Sequence, residues 1–250
     1  MPVAKNSSRM SSAVARAAAP QSVDFEAYAA NGYMIVPGIF SAAECDELVA
    51  AAKTLPSFVG GSTRPAMQPH RSMPAFYKAM AKPELIAIME RLVGGRVSGL
   101  QSEFFYCRPG TKGFARHQDN FFVQADPNAF ASAWAALTDV RPENGGLIVY
   151  PGTHRGPLLP VEPTHRGPVE GQDSNATDKQ TIVPANIESV DTVVPKGAVV
   201  FLHAHIVHAS HDNRSADRWR YALLNTYIRR GCKFNPGGHA RRSEVDVYTT

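Results

Sequence analysis

His117-Gln118-Asp119, with His208 far downstream on a separate apolar stretch, constrains this chain more than any other feature of it. Two imidazoles and a carboxylate so far apart can serve one divalent cation only if the fold lays two extended segments side by side. In extended chain the side chains at i and i+2 share a face, so His117 and Asp119 can converge while Gln118 points away. His208 follows Gly197-Ala198-Val199-Val200-Phe201-Leu202. That run is short, partly β-branched and preceded by Pro195, which reads as a buried strand.

Two histidines and one carboxylate with open positions opposite them form the ligand set of non-haem Fe(II) oxygenases. The competing reading of a bare H-x-D, a surface histidine beside a capping aspartate, is common enough that the flanking sequence has to decide.

The rest of the chain alternates between a short helical part and a longer strand-rich part. Ser41 and Glu44 form a capping-box pattern, and Leu48, Ala51 and Ala52 continue it at helical spacing, predicting a helix over residues 42–54. Pro83 to Val93, with proline at its start and Gly94-Gly95 behind it, predicts another. From residue 96 onward short strands are expected at Val97–Tyr106, Ser132–Val140, Leu147–Tyr150, Ala198–Leu202 and Tyr221–Ile228, separated by Pro, Gly, Asn and Asp. Such punctuation favours a sandwich or an open barrel. Residues 160–192, with Gly167, Gly171, Asp173, Ser174, Asn175 and Asp178, read as a loop that either closes over the site as a lid or is a solvent-exposed insert.

At 250 residues and 44% hydrophobic content the chain suits one domain, expected over residues 24–250. Residues 1–23, rich in Ser, Ala and Arg, have too little apolar content to fold alone and read as a disordered extension, with an organelle transit peptide as the alternative. No apolar run approaches the ~20 residues that span a bilayer, so no membrane partner is expected. Cys45, Cys107 and Cys232 are scattered without C-x-x-C spacing, which argues against a disulfide framework or zinc ribbon and makes a reducing, cytoplasmic location the default. The formal charge of +4 is concentrated in two stretches, Lys5, Arg9 and Arg16 near the start and Arg229, Arg230, Lys233, Arg241 and Arg242 near the end, leaving the remainder net acidic. With no nucleic-acid motif beside them, these stretches read as solvated tails, and no nucleic-acid partner is expected.

The sequence around the H-x-D supplies the discrimination. It contains HQD, then AWAALTDVRPENGGLIVYPGTHRG, then HASHDNRS from His208 and an arginine opening RYALLNTY. These motifs, in this order, resemble the phytanoyl-CoA dioxygenase family of Fe(II)/2-oxoglutarate oxygenases, and FEAYAANGYMIVPGIFSAAECDEL from Phe25 is similar to that family's opening helix, strand and helix. The resemblance spans roughly residues 24–230. It implies a mainly β fold with flanking helices, a double-stranded β-helix or jelly roll of cupin-like form. It implies Fe(II), 2-oxoglutarate and O2 as cofactor and cosubstrates, and a small-molecule partner.

By position, the resemblance makes His117, Asp119 and His208 the iron ligands. It assigns Arg220, Ser210, Trp134 and Phe104 to 2-oxoglutarate, with Arg218 as the alternative arginine because Trp219 stands at the family's usual arginine spacing. Gln68 and Gln101 are candidates for the second carboxylate, and Tyr106, Asn120 and Phe122 for further contacts around the HQD edge. His203, His205 and His211 crowd His208, but the H-x-S-x-x-N-x-S pattern selects His208. The implied activity is oxidative decarboxylation of 2-oxoglutarate to succinate and CO2, coupled to hydroxylation of an unactivated C–H bond. The intact Asp119 argues against halogenation, in which that position is Ala or Gly. Two other classes stay open: a redox-free cupin-like metalloenzyme such as an isomerase or epimerase, distinguished by whether 2-oxoglutarate binds, and a non-catalytic binding module. Substrate identity and oligomeric state are not legible.

Overall fold

A computed structural model describes residues 23–62, 64–164, 178–238 and 240–249. The chain opens with α1 (Phe25–Asn31), β1 (Tyr33–Val36), α2 (Ala42–Ala52), α3 (Pro56–Val59), β2 (Ala66–Met67), α4 (Pro74–Met80) and α5 (Pro83–Val93). It continues through β3 (Val97–Cys107), α6 (Asn120–Val123), β4 (Phe130–Ala136), β5 (Leu147–Tyr150), β6 (Val161–Pro163), β7 (Lys179–Thr181), β8 (Val190–Asp191), β9 (Val199–His203), β10 (Val207–Ser210) and β11 (Arg220–Arg229).

The predicted helices form for the reasons their sequences offered. In α2 the Ser41 hydroxyl accepts the Glu44 N–H and the Glu44 carboxylate accepts the Ser41 N–H, closing a reciprocal cap, and the helix ends two residues before the predicted limit. In α5, Pro83 opens the first turn, Gly94 closes the last in the left-handed region, and Leu85, Ile86, Ile88, Met89 and Val93 form the buried stripe.

The strands make a six-stranded sheet, β1-β9-β4-β11-β3-β2, and a three-stranded sheet, β10-β5-β8, with β6 and β7 paired separately. Every pairing is antiparallel. The larger sheet is covered on its outer face by the helices: Ala131, Ala133, Ala135, Phe201, Leu223 and Tyr227 pack with Phe76, Met80, Leu85, Ile88 and Met89. Its inner face, through Trp134, Val200, Leu202 and Ala222, meets Leu147 and Val149 of the smaller sheet. Between β9 and β10 the chain passes from one sheet to the other in a tight turn closed by Ile206 N–H to the His203 carbonyl. The result is a double-stranded β-helix, a jelly roll with helices on one side.

Three expectations need correction. The predicted strand Ser132–Val140 is displaced: β4 spans Phe130–Ala136, and Val140 lies beyond it in an isolated bridge to Val194. Within 160–192 the described residues, 160–164 and 178–192, are not a bare loop, because β6 pairs with β7 in register and β8 joins the smaller sheet. The β6–β7 pair is anchored beside the HQD segment by Thr181 N–H to the Arg116 carbonyl and by Leu159 N–H to the Gln118 side chain; Gly167, Gly171, Asp173, Ser174 and Asn175 lie outside the described residues, as do residues 1–22.

The third correction concerns the basic C-terminal stretch, which is not a solvated tail. Arg229 belongs to β11, and the segment after it crosses the sheet, held by Asn235 N–H to the Val123 carbonyl, Gln68 to the Ala240 carbonyl and the reciprocal Gly99–Val245 pair. Among the described residues no helix is long and apolar enough to cross a membrane.

Candidate active site

His117 and His208 exchange two backbone hydrogen bonds, N–H to carbonyl in each direction at 2.9 and 3.0 Å. Residues directly opposite in an antiparallel pair project to the same side, and the imidazole centroids stand 4.2 Å apart. Asp119 is reached differently from the expected extended geometry. It caps α6 with φ −55° and ψ −35°, so a turn, not a strand, aims its carboxylate back at the imidazoles. Its Oδ1 lies 3.6 Å from Nε2 of both His117 and His208, and the donor atoms of the three residues fall within 4.8 Å of one another.

The supporting hydrogen bonds select the tautomers that a cation needs. Nδ1 of His117 lies 2.8 Å from the Ala115 carbonyl and Nδ1 of His208 lies 3.3 Å from the Ile206 carbonyl. A carbonyl only accepts, so both Nδ1 atoms carry the proton and both Nε2 lone pairs face Asp119. The Ser132 hydroxyl donates to Asp119 Oδ2 at 2.6 Å, leaving Oδ1 for the metal. Burial, reinforced by the neighbouring His208, pushes the His117 pKa down to about 4. Burial alone would raise Asp119, but His208, His117, the Ser132 hydroxyl and Arg242 outweigh it and hold the carboxyl below its ordinary value. His117 and Asp119 are therefore both biased toward their unprotonated forms, the state that metal binding requires of a ligand.

The three residues stand at one part of a cavity of about 350 Å³ between the sheets. Strand alternation decides which neighbours line it. On β3, Gln101, Glu103 and Phe105 face inward; opposite them on β11 stand Thr226, Leu224 and Ala222, followed by Arg220. Arg220 is 2% exposed, its Nε has no partner, and its guanidinium carbon lies 5.6 Å from the Trp134 ring and 5.9 Å from the Phe105 ring. No salt bridge involves it among the described residues, so a buried cation faces the cavity without a counter-charge. Gly145, at φ 93°, lies against it; a Cβ there would come within 3.5 Å of the guanidinium.

Ser210 also lines the cavity. Its Oγ accepts the Phe114 N–H at 2.9 Å, which leaves its hydroxyl proton to donate inward. That contact needs Gly113, where an added Cβ would fall 1.9 Å from the Ser210 carbonyl oxygen.

Of the predicted residues, the structure thus gathers His117, Asp119, His208, Arg220, Ser210, Trp134, Gln101 and Phe122 around one cavity. It separates five others from it. Phe104 lies on the opposite face of β3, packed against Phe76, Tyr106 and Tyr221, because its register partner Leu223 faces the helices; Phe105 takes the inward place. Tyr106 shares that outer face and contacts the Ser57 hydroxyl. Asn120 is consumed by Ala125 and His205. Gln68 holds the Ala240 carbonyl. Arg218 is half exposed and paired with Glu143 at 3.1 Å, which leaves Arg220 as the arginine of the cavity. His203, His205 and His211 are likewise engaged elsewhere, by the His205 N–H, the Gly156 carbonyl and Asp191 respectively. Sequence reasoning missed Glu103, Phe105, Phe114 and Arg242; strand parity on β3 signals the first two, whereas nothing local signals Arg242.

An open jelly roll that turns two histidines and an aspartate inward beside an unpaired buried arginine defines the class: a double-stranded β-helix built around one mononuclear metal site. The chain belongs to the phytanoyl-CoA dioxygenase (PhyH) family, whose sequence profile matches residues 28–222. It is 29% identical over 164 residues to the peroxisomal phytanoyl-CoA dioxygenase of Rattus norvegicus, covering 63% of this chain and 47% of that protein. The chain spans about half the length of the curated relatives it matches. Among solved structures it is similar to the non-heme alpha-ketoglutarate-dependent carbocyclase SnoK from nogalamycin biosynthesis, with TM-score 0.69, 24% identity and coverage of 88% of this chain and 89% of that one. The epimerase SnoN in complex with Fe3+, alpha-ketoglutarate and nogalamycin RO is similar at TM-score 0.67 and 21% identity, covering 89% of this chain and 84% of that one. At these identities the two structures share the fold.

Proposed function

We propose that this protein is an Fe(II)- and 2-oxoglutarate-dependent dioxygenase that hydroxylates a C–H bond of a small molecule. The observation that carries the reading is Arg220. A guanidinium buried without a counter-charge, in the same cavity as a convergent His/Asp/His donor set, fits a dicarboxylate bound between the metal and the arginine. Family membership supports the same conclusion.

The residues present fit both groups. His117, Asp119 and His208 would hold the metal. Arg220 would donate its planar fork to the far carboxylate, Ser210 would add its hydroxyl proton, and Trp134 and Phe105 would fix the guanidinium plane from their rings. When bound, iron and the cosubstrate supply the oxidative decarboxylation and the activated oxygen. The protein's own task is to orient and exclude: Ser132 fixes Asp119, the carbonyls of Ala115 and Ile206 fix the imidazoles, and Phe114 and Phe122 flank His117 at ring distances of 6.4 Å each, limiting water beside the metal.

A redox-free isomerase would have to bring an anionic substrate of its own to answer Arg220, whereas 2-oxoglutarate supplies that carboxylate directly. Ring closure or epimerisation, named for SnoK and SnoN, are outcomes of the same cofactor pair and are separated from hydroxylation by product mass. The test is anaerobic titration of Fe(II)-loaded protein with 2-oxoglutarate. The visible charge-transfer band is expected in the wild type, absent in His208→Ala and shifted to much higher 2-oxoglutarate in Arg220→Gln. Stoichiometric metal with no band would return the chain to the redox-free class.

A further inference from the structure

A row of aromatic rings runs through the cavity from the arginine of the cosubstrate, past the metal site, to the surface. The Arg220 guanidinium carbon lies 5.9 Å from the Phe105 ring, and Phe105 meets Phe114 edge-to-face at 5.5 Å and 85°. Phe114 and Phe122 each stand 6.4 Å from the His117 ring. Phe122 in turn meets Phe121 edge-to-face at 5.2 Å and 84°. All of these residues line the cavity, and Phe121, at the end of the row, is 37% exposed. The outer end of the row is tied to the metal ligands: Asp119 caps α6, which carries Phe121 and Phe122, so the turn that aims the carboxylate also fixes both rings.

The polar side chains in the rest of the cavity already have partners in the protein. The Gln101 amide donates to the Glu103 carboxylate, and the Thr226 hydroxyl donates to the Gln101 carbonyl at 3.4 Å. Asn235 Oδ1 accepts the Gly237 N–H at 3.0 Å, and Arg242 Nη1 donates to the Phe122 and Asn235 carbonyls at 3.5 and 3.4 Å. Unmet hydrogen bonding is concentrated instead at Arg220 Nε and the Ser210 hydroxyl proton, which the cosubstrate answers. Pro65, Met67, Val123 and Phe130 add apolar wall. A substrate in this space therefore gains by burying apolar surface, whereas a charge would give up its water to groups whose partners are taken. An aromatic ring gains more than a saturated ring of the same size, because it continues the edge-to-face series.

We propose that the substrate is an uncharged small molecule bearing an aromatic ring, that this ring docks on Phe121 and Phe122 at the open end of the aromatic row, and that Phe121 is the residue that selects it. Docking there holds the ring beside His117 and so places its C–H bonds, or those of its substituents, toward the metal. Ring docking rests on the dioxygenase reading above, since that reading gives Arg220 and Ser210 to 2-oxoglutarate.

The test uses the full chain loaded with Mn(II) and saturating 2-oxoglutarate, a form that cannot turn over, and four probes: benzyl alcohol, cyclohexylmethanol, benzoate and benzylammonium. Paramagnetic broadening of the probe protons reads both affinity and closeness to the metal, and the charge-transfer band of a parallel Fe(II) sample reads the cosubstrate site. Wild type is expected to bind benzyl alcohol about fivefold more tightly than cyclohexylmethanol, and about tenfold more tightly than either charged probe. Phe121→Leu keeps an apolar side chain without a ring. It is expected to show the band at an unchanged 2-oxoglutarate concentration and to bring the two neutral probes within about twofold of each other, while Phe121→Tyr, which keeps the ring, retains the wild-type preference. Equal binding of the neutral probes by wild type, a preference for a charged probe, or a ring preference unchanged in Phe121→Leu would overturn ring docking and leave the dioxygenase reading standing. So would broadening of no probe in protein that shows the band, or a band lost in Phe121→Leu alone. No band in the wild type would remove the reading beneath it, and ring docking with it.

Discussion

Ser132 illustrates how much of this site depends on residues that touch neither metal nor ligand. Its hydroxyl donates to the Asp119 oxygen that faces away from the histidines, holding the carboxylate in the rotamer that presents Oδ1. Supporting hydrogen bonds of this kind are worth about 10–100-fold in metal affinity. Ser132→Ala should therefore weaken Mn(II) or Fe(II) binding by about that factor with little change in melting temperature; unchanged affinity would show that packing alone orients Asp119. The ligands themselves were legible because their chemistry restricts residue type. Ser132 was not, since a serine on a strand carries no mark of what it will meet across the sheet.

Among the elements, β3 and β11 show why strand parity decides residue roles. Opposed residues share a face, so Phe105 stands with Ala222 toward the cavity and Phe104 with Leu223 toward the helices. Two adjacent phenylalanines thus acquire unrelated functions. Phe104→Ala, at a fully buried position, is expected to cost about 3–5 kcal/mol of stability, read as a lower urea midpoint, while the 2-oxoglutarate affinity of the folded fraction stays unchanged. Phe105→Ala should cost less stability and weaken 2-oxoglutarate binding through Arg220; the reverse pattern would exchange their faces. In the segments 160–164 and 178–192, polar and turn-forming residues conceal three short strands, because β6 and β7 pair with each other, β8 adds only two residues to the smaller sheet, and none shows alternation or a continuous apolar run. The C-terminal strap was read as a tail on its arginines, yet Val247 is buried and Arg242 turns inward.

For the molecule as a whole, three histidines largely withdrawn from water set the acid limb of stability. Burial, first, and nearby positive charge, second, lower the pKa values of His70, His117 and His203 to about 4. In the unfolded chain each takes its proton near 6.5. Between those values the unfolded state binds more protons than the folded one, so stability falls as pH falls from about 6.5 toward 4, by at most about 1.4 kcal/mol per group per pH unit. The urea midpoint of metal-free protein should accordingly be lower at pH 5 than at pH 7.5; an equal or higher midpoint would mean that these imidazoles are already charged in the fold.

What the sequence by itself determined is local or restricted in residue type. The capped helices, the apolar strands and the metal-ligand set belong here, because capping, periodicity and ligand chemistry act over a few residues. Tertiary structure alone decided which face each strand residue presents, that Arg220 and not Arg218 enters the cavity, and that a segment 123 residues beyond Asp119 closes its wall with Arg242. Those outcomes depend on register between distant strands and on one chain segment crossing another. A shift of a single residue in such a pairing would reverse them without altering any local signal.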